Sequence, residues 1–151
     1  PSAFTFATLR REGFEAAMRA AGLPAVSVEA PADAESAYQR AVSLLSVEDR
    51  PTAILCATDR MAYGVLRAAR ETGLSVPDDL SVVGHDNLPA SASTDPGLST
   101  MELPLGEAGE RLAGLLLDAI KTPLREPHHD ILPVKWIERG STAPCMGSFS
   151  A

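Results

Sequence analysis

PTAILCATDRMAYGVLRAARETGLSVPDDLSVVGHDN, residues 51–87, decides the fold. The stretch predicts a buried strand, a helix and a second buried strand, joined by short turns. Polar residues follow each strand at once, Thr58-Asp59 after the first and Asp86-Asn87 after the second. Because ligands bind outside the carboxyl ends of the strands in an open parallel sheet, this pattern predicts a small-molecule site.

The same periodicities extend over the rest of the chain. Strand starts near residues 25, 53 and 81 are separated by roughly the length of one strand–helix unit with short loops. The fold class is therefore α/β, with a parallel sheet flanked by helices. We expect helices over Arg10–Ala21, Ala34–Leu45, Asp59–Thr72 and Leu105–Ile120, strands over Ala25–Val28, Thr52–Ala57, Leu80–Gly84 and Ile131–Glu138, and a strand or crossing segment over Leu98–Leu103.

The composition is that of one ordinary soluble domain. The chain has 151 residues, 45% of them hydrophobic, and a formal net charge of −7. This charge, with Lys and Arg scattered, argues against direct contact with a nucleic-acid backbone. No run approaches the roughly 18 apolar residues of a membrane span, and no signal peptide is visible after Pro1. Cys56 and Cys145 show no disulfide pattern, and a buried free thiol at Cys56 fits a reducing cytoplasm.

Two aspartates follow the central strands, and we expect different roles for them. Asp86 ends a strand without beginning a helix, so its carboxylate is expected to face a ligand. A carboxylate accepts two hydrogen bonds from vicinal hydroxyls, which suits a sugar. Asp59 stands just before a helix, and we expect it to cap the free N–H groups there.

Arginines and phenylalanines near the start of the chain are further candidates. Arg10 and Arg11 stand at the start of the first predicted helix, where the helix dipole does not stabilise a cation. One is expected in solvent, while the planar guanidinium of the other binds a ligand oxygen. Phe4 and Phe6 alternate with polar residues, so one is expected in the core and the other in a pocket.

Motifs for catalysis and for metal binding are missing. His85 beside Asp86 is compatible with acid–base chemistry, but the sequence has no G-x-S-x-G, P-loop or G-x-G-x-x-G motif. The segment His128-His129-Asp130 has poor spacing for one metal ion, and we expect a solvated loop there. The sequence therefore predicts no catalytic residue, no metal and no cofactor.

Five motifs, in this order and spacing, resemble the effector-binding domain of the LacI/GalR family of bacterial transcriptional regulators. They are R-x-x-G-F at Arg10–Phe14, PTAILCATDRMAYGVLRA from Pro51, G-L-x-V-P-x-D-L-S-V-V-G-H-D-N at Gly73–Asn87, P-G-L-S-T-M at Pro96–Met101 and L-P-V-K-W-I-E-R-G-S-T at Leu132–Thr142. The resemblance implies a type I periplasmic-binding-protein-like fold, in which two α/β lobes close around a small effector. It also implies a separate N-terminal head that binds operator DNA.

The resemblance further implies a set of ligand-binding residues. Arg10 and Asp86 match the ligand-binding arginine and acidic residue, and Thr58 falls where many sugar-binding members have a polar contact. Phe4 and Phe6 fall in the pocket-lining loop ahead of the arginine. Stacking on a ligand is expected from one of these two phenylalanines.

The sequence departs from the family pattern at two pocket positions. Many members have an aromatic wall where this chain has Ala30-Pro31-Ala32-Asp33. The usual aromatic residue before the acidic one is replaced by His85. Both departures leave the identity of the ligand open between a sugar and a nucleobase.

The resemblance divides the chain mainly into the C-terminal lobe and a crossover. We expect a partial effector-binding domain over 1–144, with 1–97 and 131–142 in the C-terminal lobe, 98–130 as a crossover segment and helix belonging to the N-terminal lobe, a tail over 145–151, and the DNA-binding head absent. A helix without its lobe exposes an apolar face, so we expect this chain to dimerise, swap the helix or aggregate. The family's dimer interface falls near Tyr63, Arg67 and Leu88–Thr94.

The expected function is sensing of a small molecule, a sugar first, by a cytoplasmic transcriptional repressor. Effector binding would control operator binding allosterically, which requires different effector affinities in the two states. The expected partners are the effector, a second copy in a homodimer, and operator DNA through the head alone, with no membrane contact. Two alternatives stay open: a periplasmic solute-binding protein of a sugar transporter, and a small α/β enzyme that uses His85 and Asp86.

Overall fold

The computed structural model describes residues 5–122 and 130–144. Within these ranges the chain forms helices and short strands that alternate over its central part. In chain order they are α1 (Thr5–Ala20), α2 (Ala34–Leu45), β1 (Ala53–Leu55), α3 (Asp59–Glu71), β2 (Ser81–His85), a 3-10 helix (Pro89–Ala92), β3 (Ser99–Glu102), α4 (Leu105–Lys121) and β4 (Lys135–Ile137).

The strands form one sheet in the order β1-β2-β3-β4. The first three are parallel, with Leu55 opposite Val83 and His85 opposite Met101, and β4 is antiparallel to β3. The carboxyl ends of β1, β2 and β3 therefore lie at the same edge of the sheet. The α/β fold class and the parallel central sheet are confirmed, and Leu98–Leu103 contains a strand.

Helices α2 and α3 pack together beside the sheet and form the core. Leu80, Val82 and Leu98 are fully buried against small residues of the two helices. The helices approach so closely that a Cβ at Gly64 would lie 2.1 Å from the carbonyl oxygen of Ala34. Protein interiors are densely packed, so two helices can approach this closely only where a side chain is absent. The core thus gives β1 and β2 a rigid base, from which their carboxyl ends project.

Helices α1 and α4 differ from this core, because neither has a buried residue. In α4, Leu112, Leu116 and Ile120 are 67%, 63% and 68% exposed. These residues belong to the apolar stripe that the sequence predicts for this helix. None of the described helices is a candidate for a membrane-spanning segment.

Two sequence predictions about the first third of the chain are wrong. Ala25–Val28 is not a strand: Val26 is 74% exposed and Ser27 bonds through its hydroxyl to Glu15. Apolar residues favour a strand only where a neighbouring backbone accepts and donates the ladder hydrogen bonds. Helix α1 begins at Thr5 rather than Arg10, so Arg10 is past its first turn.

Candidate functional site

Arg10 connects the ends of two neighbouring strands. Its Nη1 donates a hydrogen bond to the carbonyl oxygen of Ala57, just beyond β1. Its Nη2 lies 3.8 Å from Oδ1 of Asp86, just beyond β2. The ring of Phe6, one turn earlier in α1, lies 4.9 Å from the guanidinium carbon, within the range of a cation–π contact. The structure thus brings together Arg10, Asp86 and Phe6.

The distance between Arg10 and Asp86 leaves hydrogen-bonding capacity at both groups. At 3.8 Å the two side chains attract each other but are too far apart for a direct hydrogen bond. Burial lowers the pKa of the Arg10 guanidinium, and the Asp86 carboxylate counteracts this effect. An arginine stays charged under such a shift. A cation and an anion therefore face each other with donor and acceptor positions that a polar molecule can occupy.

Asp86 is held in an unusual backbone conformation. Its φ is +116°, and the φ of Asn87 is +51°. The amide of Asp86 nevertheless donates to the carbonyl oxygen of Met101 at 2.8 Å and so continues the pairing of β2 with β3. For a residue other than glycine, a backbone conformation in such a region destabilises the folded protein by about 1–3 kcal/mol. The conformation persists only where the surrounding structure enforces it. Strain of this kind is concentrated at functional sites.

His85 contacts the same carboxylate from the neighbouring position. Its Nδ1 lies 3.2 Å from Oδ1 of Asp86, and its side chain is mostly buried. Burial lowers the pKa of His85, and the positive charge of Arg10 lowers it further, against an opposing effect of Asp86. A neutral imidazole that donates from Nδ1 to the carboxylate fits this environment. His85 thereby helps to orient Asp86.

The N-cap of α3 is not the residue that the sequence predicts. Thr58 is the N-cap of α3, and its hydroxyl accepts a hydrogen bond from the amide of Met61 at 3.3 Å. Thr58 directly follows Ala57, the acceptor for Arg10, so it also lies at the strand-end edge. The prediction that Asp59 is the cap is wrong, because Asp59 is the first residue of the helix and points into the interior.

Asp59 is fully buried and accepts three hydrogen bonds from within the protein. They come from the Leu88 amide, the Ser91 hydroxyl and the Thr100 hydroxyl. Gly84 provides the space, since a Cβ there would lie 2.1 Å from Oδ1 of Asp59. Asp59 therefore fixes the chain immediately after Asp86-Asn87.

Asn87 also lies at this edge, and the sequence predicts no role of its own for it. Its Nδ2 donates to Oε1 of Glu102 at 2.7 Å, and its Oδ1 accepts from Nη2 of Arg139 at 2.7 Å. Arg139 also donates through Nη1 to the carbonyl oxygen of Leu98 at 2.6 Å. Two of the quoted motifs contain these partners. The motif at Gly73–Asn87 ends in H-D-N, and the motif at Leu132–Thr142 contains E-R-G-S-T, which includes Arg139.

The other candidates lie elsewhere. Arg11 forms a surface pair with Glu29 at 3.1 Å, and Cys56 is a buried free thiol whose pKa burial raises to about 12. Among the residues that the structure describes, no group of three or more His, Cys, Asp and Glu is arranged to hold a metal ion. Phe4 lies outside the described residues, as do His128, His129 and Cys145.

Phe6 lies in helix α1, and the prediction that it belongs to a loop ahead of Arg10 is wrong. It lies in the first turn of α1, four residues before Arg10, and is 40% exposed. Residues four apart lie on the same face of a helix, which explains the contact. This edge is formed by Phe6, Arg10, Thr58 and Asp86. It is one side of a site only, whereas a small-molecule site usually surrounds most of its ligand.

Comparison with known proteins shows the family to which this chain belongs. Residues 2–142 match the family described as periplasmic binding protein-like domain. The HTH-type transcriptional repressor PurR of Yersinia pestis bv. Antiqua (strain Antiqua) is 36% identical over 137 residues, which are 89% of this chain and 40% of the relative. The chain thus spans about two fifths of the length of the curated relatives it matches.

Solved structures are similar over nearly the whole chain. A LacI family transcriptional regulator from Enterococcus faecalis V583, with bound ribose, has a TM-score of 0.84 and 32% identity and covers 96% of this chain and 52% of its own. A regulatory protein of LacI family from Chloroflexus aggregans has a TM-score of 0.88 and 32% identity, covering 95% and 53%. The transcriptional regulator CelR–cellobiose complex has a TM-score of 0.85 and 26% identity, covering 93% and 44%.

Proposed function

Because the chain belongs to the family of periplasmic binding protein-like domains and corresponds to part of a LacI-family effector domain, we propose that it senses a sugar for a transcriptional regulator. The observation that carries the proposal is the opposed pair of Arg10 and Asp86 at the carboxyl ends of β1 and β2. Ligands of open parallel sheets bind at such edges.

The chemistry of the edge favours a polyhydroxyl ligand. The guanidinium of Arg10 offers N–H donors, and the carboxylate of Asp86 offers acceptors, so vicinal hydroxyls can bind both groups at once. Thr58 adds a hydroxyl, and the ring of Phe6 offers an apolar face for a sugar ring. Ribose and cellobiose are held by two of the similar regulators. Phe4 is proposed for the same wall on the resemblance alone.

The relatives favour a regulator over the two alternatives. They are transcriptional repressors and regulators, rather than solute-binding proteins of transporters or enzymes. We therefore assign operator binding to a head outside this chain, consistent with the net charge of −7 here. On the same grounds we propose a cytoplasmic protein without a catalytic role. Effector occupancy shifts operator affinity only if the effector binds the two states of the protein differently.

The proposed division into lobes rests on helix α4. This helix has no buried residue, which fits assignment to a second lobe that covers its apolar stripe. Strand β3 pairs with β2, so we place the start of the crossover after Glu102 rather than at residue 98. Homodimerisation is proposed through α3, near Tyr63 and Arg67, and through Leu88–Thr94, which follows β2. Within the chain these two segments are joined by a hydrogen bond of 2.8 Å between the hydroxyls of Tyr63 and Ser91.

The experiment that tests this function is a thermal-shift screen on the protein encoded by the whole reading frame that contains this chain. The panel contains D-ribose, lactose, cellobiose and two purine bases. A ligand at 100 times its dissociation constant stabilises the folded state by about 2.7 kcal/mol, which is readily measured. We expect one sugar to raise the melting temperature.

Two variants make the screen specific. Asp86→Ala removes the carboxylate at the strand ends and is expected to abolish the ligand-dependent shift. Asp49→Ala, the matched control, removes an exposed carboxylate that precedes β1 at the opposite edge of the sheet, and it should keep the shift. A shift that survives in Asp86→Ala would contradict the proposed site, and a shift with a purine alone would contradict the sugar assignment.

A further inference from the structure

The side-chain amide of Asn87 lies between two groups of opposite charge. Its nitrogen donates to the Glu102 carboxylate and its oxygen accepts from the Arg139 guanidinium, both at 2.7 Å. The partners define the orientation of the amide, because only the nitrogen can donate to a carboxylate and only the oxygen can accept from an arginine. Asparagine matches both partners with one short side chain.

This arrangement holds the strained turn that presents Asp86. Asp86 and Asn87 have φ values of +116° and +51°. Two supports surround the turn: the Leu88 amide is bonded to buried Asp59 at 2.7 Å, and the Asn87 side chain is bonded to Glu102 and Arg139. Because such strain persists only where the surroundings enforce it, loss of the Asn87 bonds should let the carboxylate of Asp86 move.

Glu102 is also the point where the chain leaves the sheet. It is the last residue of β3, and α4 begins three residues later at Leu105, with no residue of that helix buried. Glu102 lies opposite Lys135, where the chain returns as β4. The hydrogen bond from Asn87 to Glu102 therefore connects the strand-end edge with the residue at which the chain leaves the sheet toward α4. Through the pairing of Glu102 with Lys135, it also connects that edge with the strand by which the chain returns.

On the premise of the proposed function, we propose that Asn87 is a positioning residue that couples Asp86 to the β3–α4 crossover through a relay of Glu102, Asn87 and Arg139. The relay fixes the carboxylate of Asp86 against the ligand. In the opposite direction, ligand contact with Asp86 favours one orientation of the crossover. Two sites influence each other in this way when one element has arrangements that both can bias.

The relay is tested by exchanging donor and acceptor in the hydrogen bond between Asn87 and Glu102. Asn87→Asp sets two carboxylates against each other while keeping an acceptor for Arg139. We expect sugar affinity to fall about tenfold, the effect of losing one hydrogen bond to a charged group. Adding Glu102→Gln supplies an amide nitrogen that donates to the new carboxylate, and the double variant should recover affinity to within about threefold of the parent.

The matched control is Gln39→Glu on α2. Gln39 donates to Glu35 at 3.0 Å in an exposed amide–carboxylate pair, so this variant makes the same chemical change away from the edge. It should leave affinity unchanged. Equal weakening in Asn87→Asp and in the double variant, or a lower melting temperature in Asn87→Asp with unchanged affinity, would overturn the relay.

A ligand-free readout separates failure of the relay from failure of the proposed function. The Asp86 amide donates to Met101, and its hydrogen exchange reports on the turn. Exchange at Asp86 and Leu88 should accelerate in Asn87→Asp and return toward the parent rate in the double variant. If no sugar binds the parent but this pattern holds, the structural relay stands and the sugar assignment fails. Unchanged exchange in Asn87→Asp would overturn the relay by itself.

Discussion

At the scale of single residues, the proposed site depends on the charged side chains at the strand ends. Arg10 comes from a helix, whereas Asp86 comes from a strained strand end, and they face each other across 3.8 Å. His85 donates toward the same carboxylate and Asn87 holds the backbone next to it. Each interaction acts on the position of Asp86. Substitutions of this residue should therefore change the free energy of unfolding and the ligand affinity by different amounts.

Replacement of Asp86 by glycine should give a more stable protein than replacement by alanine. Both variants lose the carboxylate, but only glycine adopts a φ of +116° without strain. We expect Asp86→Gly to exceed Asp86→Ala by about 1 kcal/mol in the free energy of unfolding, the reverse of the usual order. Urea denaturation of the two variants measures the difference, and a more stable alanine variant would show that the turn is not strained.

Protonation of His85 should destabilise the folded protein in mild acid. Burial and Arg10 lower the pKa of His85 below its ordinary value of 6.5 in the folded state. The unfolded chain therefore binds a proton at higher pH, and stability is lost as the pH falls through 6.5 toward the lowered value. His85→Gln should flatten the decline in stability between about pH 7 and pH 5.5. An unchanged pH profile would mean that His85 has no shifted titration.

At the scale of helices and strands, the helix pair α2–α3 supports the edge. A Cβ at Gly64 would meet the backbone of Ala34 at 2.1 Å, whereas a Cβ at Gly109, inside α4, has no heavy atom within 4 Å. The same substitution at the two positions therefore separates packing from helix propensity.

Gly64→Ala should destabilise the protein by about 1–3 kcal/mol, because α2 and α3 must move apart. Gly109→Ala should be neutral or stabilise its helix by up to about 1 kcal/mol. Thermal unfolding followed by circular dichroism compares the two variants. Equal stability of both would contradict the close approach of α2 and α3.

The elements that were predicted well carry several consistent local signals. Helix α2 has the predicted bounds, an amphipathic pattern and an N-cap at Asp33, whose carboxylate accepts from the Ser36 amide. Ala25–Val28 is short and mostly apolar, and strand formation there depended on a neighbouring strand that sequence periodicity does not reveal. The same limit applies to Asp59, since a buried acceptor for three distant donors has no local pattern. Arg10 and Asp86 were predicted as ligand-binding residues from motif and topology together, and the structure shows them 3.8 Å apart.

At the scale of the whole molecule, two parts of the chain differ in how they are covered. The sheet with α2 and α3 has a fully buried core, whereas α4 leaves a row of leucines and an isoleucine exposed. Because β1 and β2 are adjacent and parallel, their carboxyl ends lie side by side, and this is where we propose that the ligand binds. An apolar stripe of this kind lowers solubility unless another surface covers it.

This chain by itself should associate with increasing concentration through α4. Replacing Leu112 and Leu116, both more than 60% exposed, by glutamine removes the centre of the stripe without removing a buried contact. Light scattering should show a concentration-dependent mass for the parent and a lower mass for the double variant. A parent that stays monomeric at high concentration would contradict this expectation.

The most direct test of the central claim is calorimetric titration of the best sugar from the screen into the full reading-frame product and its Asp86→Asn variant. Asparagine keeps the size of the side chain and removes the charge that faces Arg10. We predict binding to the parent and at least about tenfold weaker binding to the variant, since a charged hydrogen bond is lost. Equal affinity in both proteins would show that the sugar does not bind at the strand ends of β1 and β2.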